Sequence, residues 1–139
     1  MLEDFQKYTK KFEGLVLKPY KCPAGKLTIG YGRNLEDVGI TDKEAEYLFK
    51  ADFNRAIQDA IILCKENGVN YKDLSERRLF VLTDMCFNLG INRTRGFKKA
   101  LYALKKGLYD DVAKEMLDSK WARDVGNRAK TLAKMMREG

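Results

Sequence analysis

The chain has 139 residues, of which 45% are hydrophobic and 34% are charged. This length fits one domain with a hydrophobic core, and this composition argues against a disordered chain. Lysine and arginine number 27 against 20 aspartates and glutamates, which gives a formal net charge of +7. Such a charge favours anionic partners (nucleic acid, acidic lipid surfaces or an anionic cell-wall polymer) without choosing among them, and it also serves solubility.

Histidine is absent, so any acid–base chemistry falls to carboxylates, cysteine, tyrosine or lysine. The three cysteines, Cys22, Cys64 and Cys86, have no C-x-x-C spacing, which argues against a disulfide framework and a zinc site. We therefore expect no cofactor and a reducing compartment for folding. The N-terminus lacks the apolar core of a secretory signal, and no window approaches the ~18 apolar residues of a membrane span. We expect no stable membrane association, and a separate route of release if the protein works outside the cytoplasm.

The N-terminal segment predicts a short helix that ends at a carboxylate. Apolar residues recur at helical spacing at Leu2, Phe5, Tyr8 and Phe12. Gly14 is a natural stop, so Glu13 occupies the last turn of this helix. There the negative end of the helix macrodipole disfavours a charged carboxylate, which is the bias that a general acid needs. A solvated surface glutamate is the alternative interpretation.

Two β-prone runs follow, at residues 15–20 and 26–31, and a turn containing Pro23 and Gly25 separates them. Alternation in the second run puts Thr28 and Gly30 on its polar face. A two-stranded ribbon is marginal alone, so we expect it to lean on helices and to leave this polar face free to line a cleft.

The rest of the chain predicts helices. Thr41 and Glu44 form a capping box, and the helical period then continues to Asn67 and Gly68, about six turns later. Ser75 caps the next helix, which is apolar on all sides and therefore predicted to be central and buried. Shorter helices are predicted at residues 97–104, 112–121 and 129–136.

Together these elements predict an α+β fold that is mostly helical. A small N-terminal β-hairpin lobe is joined by a long helix to a helical C-terminal lobe. We expect a single domain over residues 1–139, with the hairpin and the linking helix in residues 1–65 and the helical lobe in residues 66–139.

The residues that best carry chemistry are Glu13, Cys22 and Thr28, which are spaced as E-x8-C-x5-T. This spacing resembles the E-x8-(D/C)-x5-T signature of the phage-type lysozymes, the muramidase endolysins similar to the T-even phage enzyme. Further matches follow in order: the glycines of EGLVLKPYKCPAGKLTIGYG, then ITDKEAEYLF, CFNLG, GF and SKWARDVGNRAK. The resemblance runs from Phe5 to Arg137, nearly the whole chain.

The resemblance implies a lysozyme-like fold and hydrolysis of the β-1,4 bond between N-acetylmuramic acid and N-acetylglucosamine in peptidoglycan. Glu13 would be the general acid, and Thr28, helped by Cys22, would hold a water on the opposite face of the sugar. That is the inverting arrangement. The ribbon has no second carboxylate, which disfavours a covalent glycosyl ester. Many relatives carry Asp at position 22, and a thiol stays mostly protonated at neutral pH unless a cation such as Lys21 or Lys26 lowers its pKa.

Three further residues are implied as substrate contacts or supports. Arg128 matches the family arginine that lies beside the acid and would orient Glu13. Asn88 matches a polar cleft position that contacts an acetamido group, although a helix C-terminal cap is an open alternative. Gly30 is one of the family glycines at the cleft. We expect Trp121 to anchor the core rather than to stack on sugar.

The resemblance also implies the biological setting. The partner would be peptidoglycan glycan strands, with no nucleic acid, and the protein would be a monomer. It would be made in the bacterial cytoplasm and released by a pore-forming partner. The alternatives are a lytic transglycosylase on the same fold, which the water site at Cys22 and Thr28 argues against, a nucleic-acid-binding domain, and a non-catalytic wall-binding module. The basic residues are spread along the chain, which disfavours a nucleic-acid interface.

Overall fold

The structure, a computed structural model, describes residues 1–139. It contains eight α-helices and one small antiparallel sheet, which confirms the predicted, mostly helical α+β class. The chain divides into two compact units, Met1–Tyr47 and Leu48–Gly139. The sheet lies in the first unit and the main hydrophobic core lies in the second.

The first unit begins with a short 3-10 turn that leads into helix α1 (Gln6–Glu13). The helix ends at Gly14, which has a φ of 72° and donates its backbone N–H to the Lys10 carbonyl at 2.8 Å. A positive φ is cheap only for glycine, so the chain leaves the helix at this residue. The predicted position of Glu13 on the last helical turn is confirmed.

The sheet of the first unit has three strands in chain order: β1 (Val16–Lys21), β2 (Leu27–Gly30) and β3 (Arg33–Asn34). Val16 lies opposite Gly30 and Tyr20 lies opposite Thr28 in the register of the first pair. The predicted ribbon of two strands is thus extended by a third. That strand has only two residues, too few to show the alternation by which a strand is recognised in a sequence.

Helix α2 (Asp42–Glu66) starts at the predicted capping box. The Thr41 N–H donates to the Glu44 carboxylate at 2.9 Å, and the Glu44 N–H donates to the Thr41 hydroxyl at 3.2 Å. Arg33 of β3 reaches the same carboxylate with two bonds of 2.9 and 2.6 Å, and it also donates to the Gly39 carbonyl at 3.0 Å. This bidentate ion pair links strand β3 to the first turn of α2.

The second unit is a helical core. Beyond α2 it comprises the helices α3 (Glu76–Leu89), α4 (Ile91–Arg95), α5 (Lys98–Lys105), α6 (Tyr109–Leu117), α7 (Lys120–Val125) and α8 (Asn127–Glu138). Ser75 caps α3 as predicted, because its hydroxyl accepts the Arg78 N–H at 3.2 Å. Helix α3 packs on α8 and α4, and α6 packs on α5 and α8. None of the helices has the length and apolarity that spanning a membrane requires.

The helix predicted at residues 112–121 is in fact two helices, α6 and α7. Ser119 separates them, since its hydroxyl donates to the Met116 carbonyl at 2.7 Å and accepts from the Ala122 N–H at 3.1 Å. A serine that satisfies the end of one helix and the start of the next favours a break over continuation.

Candidate active site

The first unit brings Cys22 and Thr28 together through one backbone carbonyl. The Lys26 carbonyl accepts the Cys22 N–H at 2.9 Å and the Thr28 hydroxyl at 2.8 Å. The Gly25 N–H closes the turn on the Cys22 carbonyl at 2.8 Å. Two of the three residues of the E-x8-C-x5-T spacing therefore share a hydrogen-bond partner.

The strand alternation predicts that Thr28 lies on an open polar face. This prediction is wrong, because Thr28 is buried. Its side chain is 3% exposed, and it is the one buried residue of Met1–Tyr47. Burial is tolerated because the hydroxyl is satisfied by the Lys26 carbonyl. Since its single proton is committed there, the hydroxyl oxygen is left to accept a hydrogen bond from a ligand or a water.

The thiol of Cys22 is half-buried, and its pKa is lowered. The main cause is hydrogen bonding from the backbone at Lys26; partial desolvation opposes it, and the backbone at Ala24 and the Thr28 hydroxyl add smaller effects in the lowering direction. The predicted cause, the charge of Lys21 or Lys26, is not the one that the structure gives.

Glu13 is exposed at the end of α1, and its carboxylate lies against the backbone of Gly32. A Cβ built on Gly32 would be 2.5 Å from Glu13 Oε2 and 2.9 Å from Cδ. Gly32 has a φ of 74°, in the turn between β2 and β3. The Glu13 carboxylate can therefore lie here only because Gly32 has no side chain. The sequence alone does not predict this role of Gly32, although the run of glycines after Thr28 is a signal for it.

Gly30, the last residue of β2, also has a positive φ of 72°, but nothing lies within 4 Å of a Cβ built there. A side chain would therefore meet open space and only the backbone conformation would be strained. The space beside Gly32 is filled by the Glu13 carboxylate, whereas the space beside Gly30 is empty.

Asn88 and Trp121 form a pair in the second unit. The indole N–H of Trp121 donates to Asn88 Oδ1 at 2.8 Å. Because an indole nitrogen can only donate, this bond fixes the orientation of the amide and leaves the Asn88 NH2 group to donate to a ligand. Trp121 is 4% exposed and packs edge-to-face on Phe97 at 5.9 Å, so its predicted core role is confirmed.

Arg128 forms an ion pair with Asp84, which the sequence alone does not predict. Its Nε and Nη2 donate to the two carboxylate oxygens of Asp84, at 2.8 and 3.0 Å. The hydrogen bonds to Asp84 raise the pKa of Arg128. This bidentate pair fixes the plane of the guanidinium and leaves Nη1 as the donor for a further acceptor.

The chemistry available is proton transfer and water positioning. The candidate residues of the first unit offer a carboxylate at Glu13, a buried hydroxyl at Thr28 and a thiol of lowered pKa at Cys22. No group of three or more His, Cys, Asp or Glu side chains is arranged to hold a metal ion. The arrangement suits hydrolysis by a general acid and a held water.

Comparisons with known proteins agree with the E-x8-C-x5-T spacing. The chain is 28% identical to "Probable T4-type lysozyme 1" of Dictyostelium discoideum, over 99% of this chain and 94% of that protein. It is 29% identical to "Endolysin" of Acyrthosiphon pisum secondary endosymbiont phage 1, over 88% of this chain and 80% of that protein. It is 25% identical to "Peptidoglycan hydrolase gp36" of Pseudomonas phage phiKMV, over 96% of this chain but only 15% of that protein. The family model described as "Phage lysozyme" matches residues 10–138, and the chain therefore belongs to the phage lysozyme family.

Proposed function

We propose that this lysozyme-family hydrolase is an endolysin that cleaves the β-1,4 bond between N-acetylmuramic acid and N-acetylglucosamine in peptidoglycan, with inversion at the anomeric carbon. The observation that carries the proposal is the Lys26 carbonyl, which holds the backbone of Cys22 and the hydroxyl of Thr28 at 2.9 and 2.8 Å. A relative named an endolysin and another named a peptidoglycan hydrolase support the substrate class.

In the proposed reaction, protonated Glu13 gives its proton to the glycosidic oxygen as the bond from that oxygen to the anomeric carbon breaks. A water attacks the anomeric carbon from the opposite face. Thr28 accepts a hydrogen bond from this water, because its own proton is committed to the Lys26 carbonyl. Cys22, whose pKa is lowered by backbone hydrogen bonds, helps Thr28 to hold this water, and the proton that the water loses passes to solvent. Solvent then returns a proton to Glu13 and completes the cycle.

Three further residues are proposed to contact or orient the substrate. Asn88 would donate its NH2 group to an acetamido carbonyl, with Trp121 holding the amide in that orientation. Arg128 would orient the acid through Nη1, the guanidinium nitrogen that Asp84 does not use. Gly30 would let the sugar approach the end of strand β2, since no atom lies within 4 Å of its missing Cβ.

The net charge of +7 is proposed to attract the enzyme to its substrate. Peptidoglycan and its associated polymers are anionic, so attraction raises the local enzyme concentration and weakens as salt screens it. The proposed setting is that of an endolysin acting as a monomer on the wall, after synthesis in the bacterial cytoplasm and release through a pore formed by another protein.

The test is the loss of turbidity of a bacterial wall suspension with two glutamate variants. Glu13→Gln removes the proposed proton donor and keeps the size of the side chain, so lysis should be abolished. Glu3→Gln makes the same change at an exposed glutamate of the same unit and should lyse like wild type. Comparable lysis rates for wild type and Glu13→Gln would refute the assignment of the acid.

A further inference from the structure

Helix α5 carries a basic outer face that the proposed reaction does not use. Its inner face is buried in the helical core through Ala100, Leu101, Ala103 and Leu104. Its exposed face is formed by Lys98, Lys99, Tyr102, Lys105 and the adjoining Lys106. The helix is therefore amphipathic, with an apolar face in the core and a positively charged face towards solvent. None of these four lysines forms a salt bridge, so their charges are available to a partner.

A groove of about 570 Å³ runs between this face and the end of helix α2. Its cations are Arg95, Lys98 and Lys105, and its one carboxylate is Glu66. Arg95 already binds that carboxylate with two bonds of 2.9 and 3.0 Å, and these bonds lower the pKa of Glu66. The acid is thus neutralised within the groove, and the two lysines supply the net positive charge.

The two lysines are seven residues apart on one helix, which places them on the same face about 10 Å from each other along the axis. Tyr102 lies between them and is 64% exposed. Asn67, on the facing wall, donates its NH2 group to the Leu63 carbonyl at 2.8 Å and leaves its amide oxygen for a ligand. Cations bind phosphate, whereas an exposed aromatic ring and an amide oxygen bind the apolar face and the hydroxyls of a sugar.

We propose that this groove, lined by Lys98, Tyr102, Lys105 and Asn67, binds a phosphorylated glycan of the bacterial envelope and anchors the enzyme beside its substrate. A bilayer is disfavoured because the groove is concave and offers no exposed aliphatic side chain for insertion. Single-stranded nucleic acid is disfavoured because successive bases need several aromatic platforms, and Tyr102 is alone in the groove.

The proposal rests on the proposed function for its setting, but its test does not depend on catalysis. Binding is measured by calorimetry at low salt with Glu13→Gln protein, so that the ligand is not cleaved. The probe is phosphorylated lipopolysaccharide core oligosaccharide, with the phosphatase-treated oligosaccharide as the phosphate-free comparison. Lys98→Gln/Lys105→Gln removes two charges from the groove. Lys114→Gln/Lys134→Gln removes two exposed charges from α6 and α8 and is the matched control.

We expect the groove variant to raise the Kd by about tenfold or more, since each cation near an anionic surface is worth about fivefold. The matched control should change the Kd less than twofold, and phosphatase treatment should weaken wild-type binding as strongly as the groove variant does. An equal loss in both double variants, no binding of the phosphorylated probe, or tighter binding to duplex DNA or to anionic phosphatidylglycerol vesicles would each overturn the proposal.

A lysis assay on peptidoglycan free of phosphorylated polymers separates this proposal from the proposed function. The groove variant should keep the wild-type rate there, because Lys98 and Lys105 take no part in the reaction. Wild-type lysis together with failed glycan binding would overturn the groove proposal alone. Intact glycan binding together with absent lysis by the wild-type enzyme would overturn the proposed function alone.

Discussion

Alanine at position 32 would displace the proposed acid without unfolding the protein. A Cβ there would lie 2.5 Å from Glu13 Oε2, whereas ordinary contact begins near 3.4 Å, so one of the two groups must move. The carboxylate is the end of a flexible side chain and moves more easily than the backbone of the turn. A displacement of roughly 1 Å at a reacting group costs on the order of 100-fold in rate. We therefore expect kcat for wall lysis to fall about 100-fold.

The backbone effect of the same substitution is modest and can be measured separately. Alanine at a φ of 74° costs about 1–2 kcal/mol of stability. Gly39→Ala is the matched control, because Gly39 has a φ of 64° and nothing lies within 4 Å of its missing Cβ. Both variants should lose similar stability in urea unfolding, but only Gly32→Ala should lose kcat. Equal activity of the two variants would refute the contact between Gly32 and the acid as the cause.

Two further predictions concern ionisation. The pKa of Glu44 is lowered to about 2 from an ordinary 4.5, chiefly by the hydrogen bonds that it accepts from Arg33. The ionised carboxylate therefore stabilises the fold fully above pH 4.5, and this stabilisation is lost as the pH falls through about 2. Glu44→Gln keeps the capping box but not the charge, so its Tm should lie below that of wild type at pH 6 and the gap should close towards pH 2; a gap that widened would contradict this. Iodoacetamide should modify Cys22 with a rate midpoint below that of free cysteine and so block lysis, while Cys22→Ser keeps measurable, alkylation-resistant lysis. Cys64 and Cys86 are buried with pKa values raised to about 11 and should not react in the native protein, and a Cys22 midpoint at or above that of free cysteine would refute the hydrogen-bonding argument.

The parts of the fold that the sequence predicts well are governed by neighbouring residues. The stop of α1 at Gly14 and the capping box of Thr41 and Glu44 each depend on a few consecutive positions, so local rules suffice. The separation of α6 from α7 is also local, but it depends on a serine serving two helix ends at once. A periodicity count cannot see that double role.

The parts that the sequence does not predict depend on contacts between distant positions. Asp84 and Arg128 are 44 residues apart, and nothing in either segment identifies the other as its partner. Glu13 meets Gly32 only because the sheet folds back on α1. Strand alternation predicts an open polar face for Thr28, whereas the Lys26 carbonyl satisfies its hydroxyl and permits burial.

The most direct test of the proposed mechanism is mass spectrometry of the muropeptides that the wild-type enzyme releases in water enriched in oxygen-18. A water held by Thr28 and Cys22 must supply the new hydroxyl at the anomeric carbon. Every new N-acetylmuramic acid reducing end should therefore carry one oxygen-18 atom. Release of unlabelled 1,6-anhydro products would contradict hydrolysis and would make the enzyme a transglycosylase.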